Sequence, residues 1–192
     1  MNNQQTTAPT SRLDRAFTST RAVLAAVRPE QLDVPTPCAS WDVRELINHF
    51  IGTAHWAAAV MSDNDVTDQR DFTAGDYLAT YDTYIRDALA AFETPGALDK
   101  TVRLSFTEMS GAAFMGLAAV DQFTHGWDLA RAIGRATDLD PELAEELLIQ
   151  TKATVADALR GPDGAAPFGP VAEAPADAVP ADRLAAFLGR TS

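Results

Sequence analysis

Hydrophobic residues recur at helical spacing in five segments of this 192-residue chain, and that pattern constrains its fold more than any other feature. The segments span about residues 11–27, 41–61, 73–93, 112–134 and 140–160. Loops rich in Pro, Gly or polar residues separate them. Val102, Leu104 and Phe106 alternate in a way that suits a short extended stretch, and residues 181–188 suit a last short helix. We therefore predict an all-α protein.

The connections between these segments define the architecture further. They are too long for a simple meander of adjacent helices, so we predict a four-helix bundle with a long crossover, an additional C-terminal helix and an irregular wrap. Ser40 is the expected N-cap of the second helix, and Thr73 with Asp76 resembles a capping box for the third. We expect residues 1–10 to be a disordered tail and residues 11–192 to form a single domain.

Charge and composition narrow the classes of partner. The chain carries 15 Lys and Arg against 27 Asp and Glu, a net charge of −12, which argues against binding to nucleic acid or to a membrane surface of anionic lipid. A small molecule or a protein is the expected partner. The single Cys cannot form an intramolecular disulfide, and no apolar leader or membrane span is recognisable, so we expect a cytoplasmic location.

Ionisable residues occupy the face of the fourth helix that should be buried. Asp121 and His125 are four residues apart, about 40° around a helix, and Asp128 follows Asp121 by seven residues, about 20° short of two turns. All three project from one stripe, which continues the line of Phe114 and Leu117. A buried carboxylate must be paired or bound to a cation, so this stripe indicates a binding site.

A further ionisable residue, His49, lies in an apolar part of the second helix, next to Leu46, Ile47, Phe50 and Ile51. Metal sites in bundles are built from facing helices, and one carboxylate with two His side chains supplies three ligands. Three protein ligands and an open position are typical of catalytic zinc, and the same set could hold non-haem iron. His49, Asp121 and His125 are therefore candidate metal ligands.

Spacing alone leaves other interpretations of these residues open. A D-x-x-x-H pair occurs by chance in many helices, and a buried His is often satisfied by a backbone carbonyl. His55 lies six residues after His49, about 120° away, which indicates a surface or interface residue rather than a fourth ligand. Cys38, at a Pro-flanked helix start, is either a small buried hydrophobic residue or a thiol activated by the helix N-terminus.

Three blocks of the sequence resemble a known family. They are TPCASWDVRELINHFIG at 36–52, TEMSGAAFMGLAAVDQFTHGWDLARAIG at 107–134 and FGPVAEAPADAVPADRLAAFLGR at 168–190. Their W-D-V-x-x-L-x-x-H and D-x-x-x-H-x-W-D-L-A motifs are similar to those of the metal-binding branch of the DinB-like superfamily. That branch is related to the N-terminal domain of mycothiol-dependent maleylpyruvate isomerase. The resemblance extends from about Leu13 to Arg190.

The resemblance implies a DinB-like four-helix bundle that holds a divalent metal, usually zinc or nickel, through His49, Asp121 and His125. Asp121 stands where the isomerase has Glu. Asp128 matches an acid associated with the thiol cofactor's site, which implies a catalytic or cofactor-binding role. The isomerase also uses a separate C-terminal domain that this sequence lacks, so maleylpyruvate is not the substrate that we expect.

Two main hypotheses of function follow. The first is a metal-dependent S-transferase or isomerase, in which the metal-bound thiolate of mycothiol, or of a similar low-molecular-weight thiol, attacks a small electrophilic substrate. The alternative is a non-catalytic metal-binding or interaction protein with the same fold, for which a homodimer is compatible with the sequence. Iron-dependent oxidation is a third hypothesis, because the ligand set suits zinc, nickel and iron.

Overall fold

The computed structural model describes residues 10–38, 40–65, 70–105, 107–162 and 165–191. The described α-helices are α1 Ser11–Leu24, α2 Val43–Met61, α3 Tyr77–Glu93, α4 Gly111–Ala132, α5 Pro141–Thr154 and α6 Pro180–Phe187. Because only one small hairpin accompanies them in these ranges, the all-α prediction is confirmed. The predicted disordered tail lies outside the described residues except for Thr10, which is buried and donates a hydrogen bond to Glu93 at 3.1 Å.

The first four helices form the bundle. Each of α1 and α2 packs against both α3 and α4, so α1 lies diagonally opposite α2, and α3 lies opposite α4. The connections 25–42 and 94–110 therefore cross the bundle, which agrees with the predicted crossover. The second connection carries the antiparallel strands β1 Thr101–Leu104 and β2 Thr107–Ser110. Large, fully buried side chains from all four helices fill the core, among them Phe17, Phe50, Ile51, Tyr81, Phe92, Phe114 and Phe123.

The helix α2 begins later than its predicted cap. Ser40 is not the N-cap: the cap is Asp42, whose carboxylate accepts a hydrogen bond from the Glu45 N–H at 2.9 Å. The Glu45 carboxylate accepts in return from the Asp42 N–H, also at 2.9 Å. Asp42 has an extended backbone and pairs with Pro35 in an isolated bridge, so the helix begins only after Asp42.

The start of α3 differs from its prediction for a similar reason. Asp76 alone caps the helix by accepting from the Ala79 N–H at 2.9 Å. Thr73 instead belongs to a short 3-10 turn, where its hydroxyl donates to Asp71 at 2.6 Å. Because Asp71 engages Thr73, no capping box forms with Asp76.

Close contact between α1 and α4 sets the orientation of α4. A Cβ added to Gly126 would lie 2.4 Å from the Thr20 Oγ1, so only Gly allows this approach. Thr20 is fully buried, and its hydroxyl donates to the Gln122 carbonyl at 2.7 Å. This contact explains why Thr20 interrupts the apolar stripe of the first helix. It also fixes the direction in which Asp121 and His125 project.

The chain after α5 forms the irregular wrap. We predicted a helix to about residue 160, but α5 ends at Thr154, because Val155 is extended and a 3-10 turn follows at Asp157–Leu159. Arg160 then donates from Nη1 to the carbonyls of Gly169 at 3.0 Å and Phe187 at 2.8 Å. These bonds tie the wrap, residues 161–179, to the end of α6.

Candidate metal centre

Three of the predicted site residues converge between α2 and α4. His49 projects from α2, and Asp121 and His125 project from successive turns of α4. Asp121 Oδ1 lies 3.5 Å from His49 Nε2 and 3.4 Å from His125 Nε2. The three ligand atoms all lie within 4.8 Å of one another. The structure thus brings together the two His and the carboxylate that the sequence places on separate helices.

The spacing of these atoms suits a tetrahedral metal ion. Zinc binds His nitrogen and carboxylate oxygen at about 2.0–2.1 Å, and tetrahedral bonds of that length put neighbouring ligand atoms about 3.3 Å apart. The separations of 3.4 and 3.5 Å from Asp121 Oδ1 are close to that value. Two His nitrogens and one carboxylate oxygen form a donor set that suits zinc, nickel and iron.

Asp128 lies behind His125 rather than at the surface of the site. Its side chain is completely buried, and its Oδ2 lies 3.0 Å from His125 Nδ1. A carboxylate at this position fixes the proton on Nδ1 and leaves Nε2 free for a metal, as is common for metal-binding His. Asp128 is not among the residues that line the adjoining cavity. Its predicted role next to a thiol cofactor stays a prediction, and its contacts are those of a residue that acts through His125.

Arg190 is the site residue that the sequence did not reveal. Its guanidinium lies against Asp128, with Nε 3.3 Å from Oδ1 and Nη2 3.0 Å from Oδ2. The side chain is only 14% exposed, so this is a nearly buried ion pair. In the sequence, Arg190 stands out locally only as a cation directly after a glycine. In the structure that glycine, Gly189, has a φ of +92°.

The surrounding charges keep both acids ionised. Burial raises the pKa of Asp121, but the charge of His125 and hydrogen bonds from both His residues outweigh it and hold the pKa well below its usual range. Burial also raises the pKa of Asp128, whereas the Arg190 charge and the His125 hydrogen bond lower it to about 2. Burial lowers the pKa of His125, but Asp121 and Asp128 raise it by a larger amount, so the pKa lies well above its usual value. Both acids are thus carboxylates in this structure, paired with His125 and Arg190.

A large cavity of about 610 Å³ adjoins the three ligands. Its walls are α2, α4, the chain before α2, residues 166–170 of the wrap and residues 188–190 after α6. Trp41 covers one side of the site, with its ring 4.4 Å from that of His49 and 5.6 Å from that of His125. The cavity volume lies within the range of about 300–1,000 Å³ that is usual for small-molecule sites.

Cys38 also lines this cavity. Its Sγ lies 3.3 Å from Asp128 Oδ2 and 3.8 Å from Arg190 Nη2. Cys38, His125 and Asp128 form a second group of potential metal ligands. A cation bound there would meet the Arg190 guanidinium, which already neutralises Asp128. The group containing His49 and Asp121 is therefore the better metal site.

His55 belongs to neither group of ligands. Its ring stacks on Tyr84 of α3, with 4.3 Å between ring centroids and 7° between ring planes. The stacking holds the ring on the α3 side of α2. This placement agrees with the expectation that His55 is not a ligand.

A helical bundle in which two His and an Asp converge from α2 and α4 is the arrangement expected of the metal-binding DinB-like proteins. Residues 13–130 match the family described as the mycothiol maleylpyruvate isomerase N-terminal domain, and the chain belongs to this family of the DinB-like superfamily. The resemblance inferred from the sequence motifs is thereby confirmed.

Two relatives from Mycobacterium tuberculosis are similar along nearly the whole chain. They are uncharacterized protein MT0763 of strain CDC 1551 / Oshkosh and uncharacterized protein Rv0738 of strain H37Rv. Each is 40% identical over 181 residues, which covers 92% of this chain and 94% of the relative. No solved structure matches the chain. None of the described helices combines the length and the apolar character needed to cross a bilayer.

Proposed function

We propose that this protein is a metal-dependent thiol S-transferase or isomerase, which uses mycothiol or a similar low-molecular-weight thiol on a small electrophilic substrate. The observation that carries the proposal is the position of His49, Asp121 and His125 at the wall of the large cavity. The family description names mycothiol, which supports a thiol as the ligand of this cavity. Zinc is the metal that we favour, because the ligand spacing suits tetrahedral coordination.

The residues around such a site would have separate roles. A bound metal supplies Lewis acidity and holds a coordinated thiol as the thiolate at neutral pH. His49, Asp121 and His125 would hold the metal. Asp128 orients the ring of His125 through the hydrogen bond to Nδ1, and the Trp41 ring limits rotation of the His49 ring.

The charges of the site support a thiolate as the fourth ligand. Asp121 and Asp128 each carry one negative charge, and Arg190 carries one positive charge. With both His neutral, a divalent metal held here would leave one excess positive charge in this partly buried group, which an anionic sulfur ligand would balance. Buried charges are costly unless they are balanced, so an anionic sulfur ligand stabilises the loaded site.

The proposed transfer balances without a further reactant. With chlorodinitrobenzene as the electrophile, a sulfur–carbon bond forms, chloride leaves and the thiol proton passes to solvent. In an isomerisation, the sulfur adds to a double bond and leaves again after rotation about the resulting single bond. Both reactions need a nucleophilic sulfur and a cavity that admits thiol and electrophile together.

Metal analysis of the purified protein tests the metal site. We expect about one zinc ion per chain in the wild type, and its loss in His49→Ala and in His125→Ala. His55→Ala is the matched control, because His55 also lies on α2 but stacks on Tyr84. Unchanged zinc content in the His49 and His125 variants would contradict the proposed site.

A conjugation assay then tests the reaction. Zinc-loaded protein should accelerate the reaction of mycothiol with chlorodinitrobenzene, and the His49→Ala variant should not. Glutathione in parallel distinguishes a mycothiol-specific protein from a general one. A protein that binds zinc normally but accelerates conjugation of neither thiol would be the non-catalytic metal-binding protein of the alternative hypothesis.

A further inference from the structure

A smaller cavity, of about 180 Å³, lies between α1, α2 and α4. Most of its wall is hydrocarbon, contributed by Phe17, Ala54, Trp56, Ala57, Phe114 and Ala118. The rings of Trp56 and Phe114 meet edge to face, with 5.1 Å between their centroids. Trp56 and Ala118 are half-buried, so the cavity can be reached from the surface.

The small cavity shares part of its wall with the metal centre. Asp121 and Leu117 line both this cavity and the large one. Asp121 Oδ1 faces the two His side chains, whereas its Oδ2 accepts a hydrogen bond from Thr53 Oγ1 at 2.9 Å. A molecule in the small cavity therefore lies next to a metal ligand.

The polar groups of the small cavity are already engaged with one another. Gln122 Nε2 donates to the Phe50 carbonyl and to Thr53 Oγ1, both at 2.8 Å, and its Oε1 accepts from the Tyr81 hydroxyl at 2.6 Å. Thr53 in turn donates to Asp121. A polar ligand would have to break this network, whereas an apolar ligand would leave it intact.

We infer that the small cavity binds the apolar part of the electrophilic substrate, a single six-membered ring or a branched hydrocarbon of similar size. An apolar cavity of about 150 Å³ is large enough to hold benzene, so this one fits a single ring but not a fused aromatic system. The apolar part would then lie against the shared wall formed by Asp121 and Leu117, beside the candidate metal ligands. This inference rests on the proposed function, since it names the class of substrate for the same site.

Binding of fluorobenzene to the zinc-loaded protein, followed by fluorine NMR, tests the inference without any reaction. Ala118→Phe places a ring inside the cavity, and Ala113→Phe makes the same change at an exposed position of α4. We expect Ala118→Phe to lower the affinity for fluorobenzene at least tenfold, because the new ring occupies the space that fluorobenzene would fill. Ala113→Phe should bind like the wild type. Ala118→Leu fills less of the cavity and takes the place of the Phe variant in the experiment if that variant does not fold.

The outcomes separate this inference from the proposed function. Zinc content should be unchanged in the variants at position 118, which shows that the metal centre is intact. Equal affinity of the wild type and the filled variants, or no binding to the wild type, would overturn the inference whatever the conjugation assay shows. Fluorobenzene binding that is lost on filling would support the apolar cavity even if conjugation failed, and in that case only the proposed reaction would be wrong.

Discussion

The ion pair between Asp128 and Arg190 should couple the metal centre to the C-terminal end of the chain. Asp128 is completely buried and Arg190 is 14% exposed. Arg190→Met removes the guanidinium but keeps a side chain of similar length. Asp128 would then keep its buried charge with His125 as its remaining charged partner. Asp128→Asn removes the negative charge instead and leaves the guanidinium unpaired.

The expected magnitude follows from this burial. Removal of one partner of a buried pair costs about 3–5 kcal/mol, because the other charge stays in a poorly solvated place. Each single variant should lose an amount in this range. The double variant leaves no uncompensated charge, so its loss should be smaller than the sum of the single losses by about 2–3 kcal/mol.

Urea unfolding of the four proteins measures this coupling energy. It should be done after chelation, so that zinc binding does not contribute to the free energy of unfolding. Arg183→Met is the matched control, since Arg183 pairs with Glu145 on the surface, where a pair contributes about 0–1 kcal/mol. Additivity within about 0.5 kcal/mol would refute the reasoning. Asp128→Asn should also weaken zinc binding about 10–100-fold, which competition with a chelating dye would measure.

Two further predictions concern stability. Gly189→Ala should destabilise the protein by about 1–3 kcal/mol in thermal unfolding, because φ is +92° and the new Cβ would lie 2.4 Å from the Gly169 Cα. Gly75→Ala is the control, since a Cβ at that position meets nothing within 4 Å. Burial raises the pKa of Asp140, but bonds from Arg15 and the Leu143 N–H lower it below its usual range. The contribution of Asp140 to the free energy of unfolding is therefore present above about pH 4 and is lost as the pH falls further. The Asp140→Asn variant should thus lose less stability than the wild type on acidification, which urea unfolding would measure.

The helical part of the metal centre could be predicted from the sequence because helix geometry is regular. The period of 3.6 residues per turn puts Asp121 and His125 on one face of α4, whatever the rest of the fold does. The apolar neighbours of His49 place it near the core of α2. Only the meeting of the two helices needed the structure, which brings the ligand atoms within 4.8 Å.

The helix starts were harder to predict, because several residues near each start have the chemistry of a cap. Ser40 and Asp42 are both good N-cap residues, and local pairing of Pro35 with Asp42 decides between them. Thr73 and Asp76 compete in the same way, and Asp71 decides by engaging Thr73. Such choices depend on contacts of single side chains, which hydrophobic periodicity does not encode.

The wrap could be recognised from its composition, but its path could not be predicted. The wrap has no periodicity, and the chain that follows it returns to the site at Arg190, which contacts Asp128 across 62 residues of sequence. The path is determined by Gly169 and Gly189, which touch backbone to backbone, and by Arg160, which binds two carbonyls of the returning chain. None of these contacts is visible in a local pattern.

The wrap lies outside the part of the chain that matches the family model, although it adjoins the candidate site. The family match ends at residue 130, after all three metal ligands and Asp128 but before the wrap. One side of the large cavity is nevertheless formed by residues 166–170 and 188–190. Arg190 also forms an ion pair with Asp128. The matched region thus contains the candidate metal ligands and one side of the cavity, whereas the rest of the chain supplies the opposite side. A substitution among residues 166–170 should therefore change the shape of the cavity and leave His49, Asp121 and His125 in place.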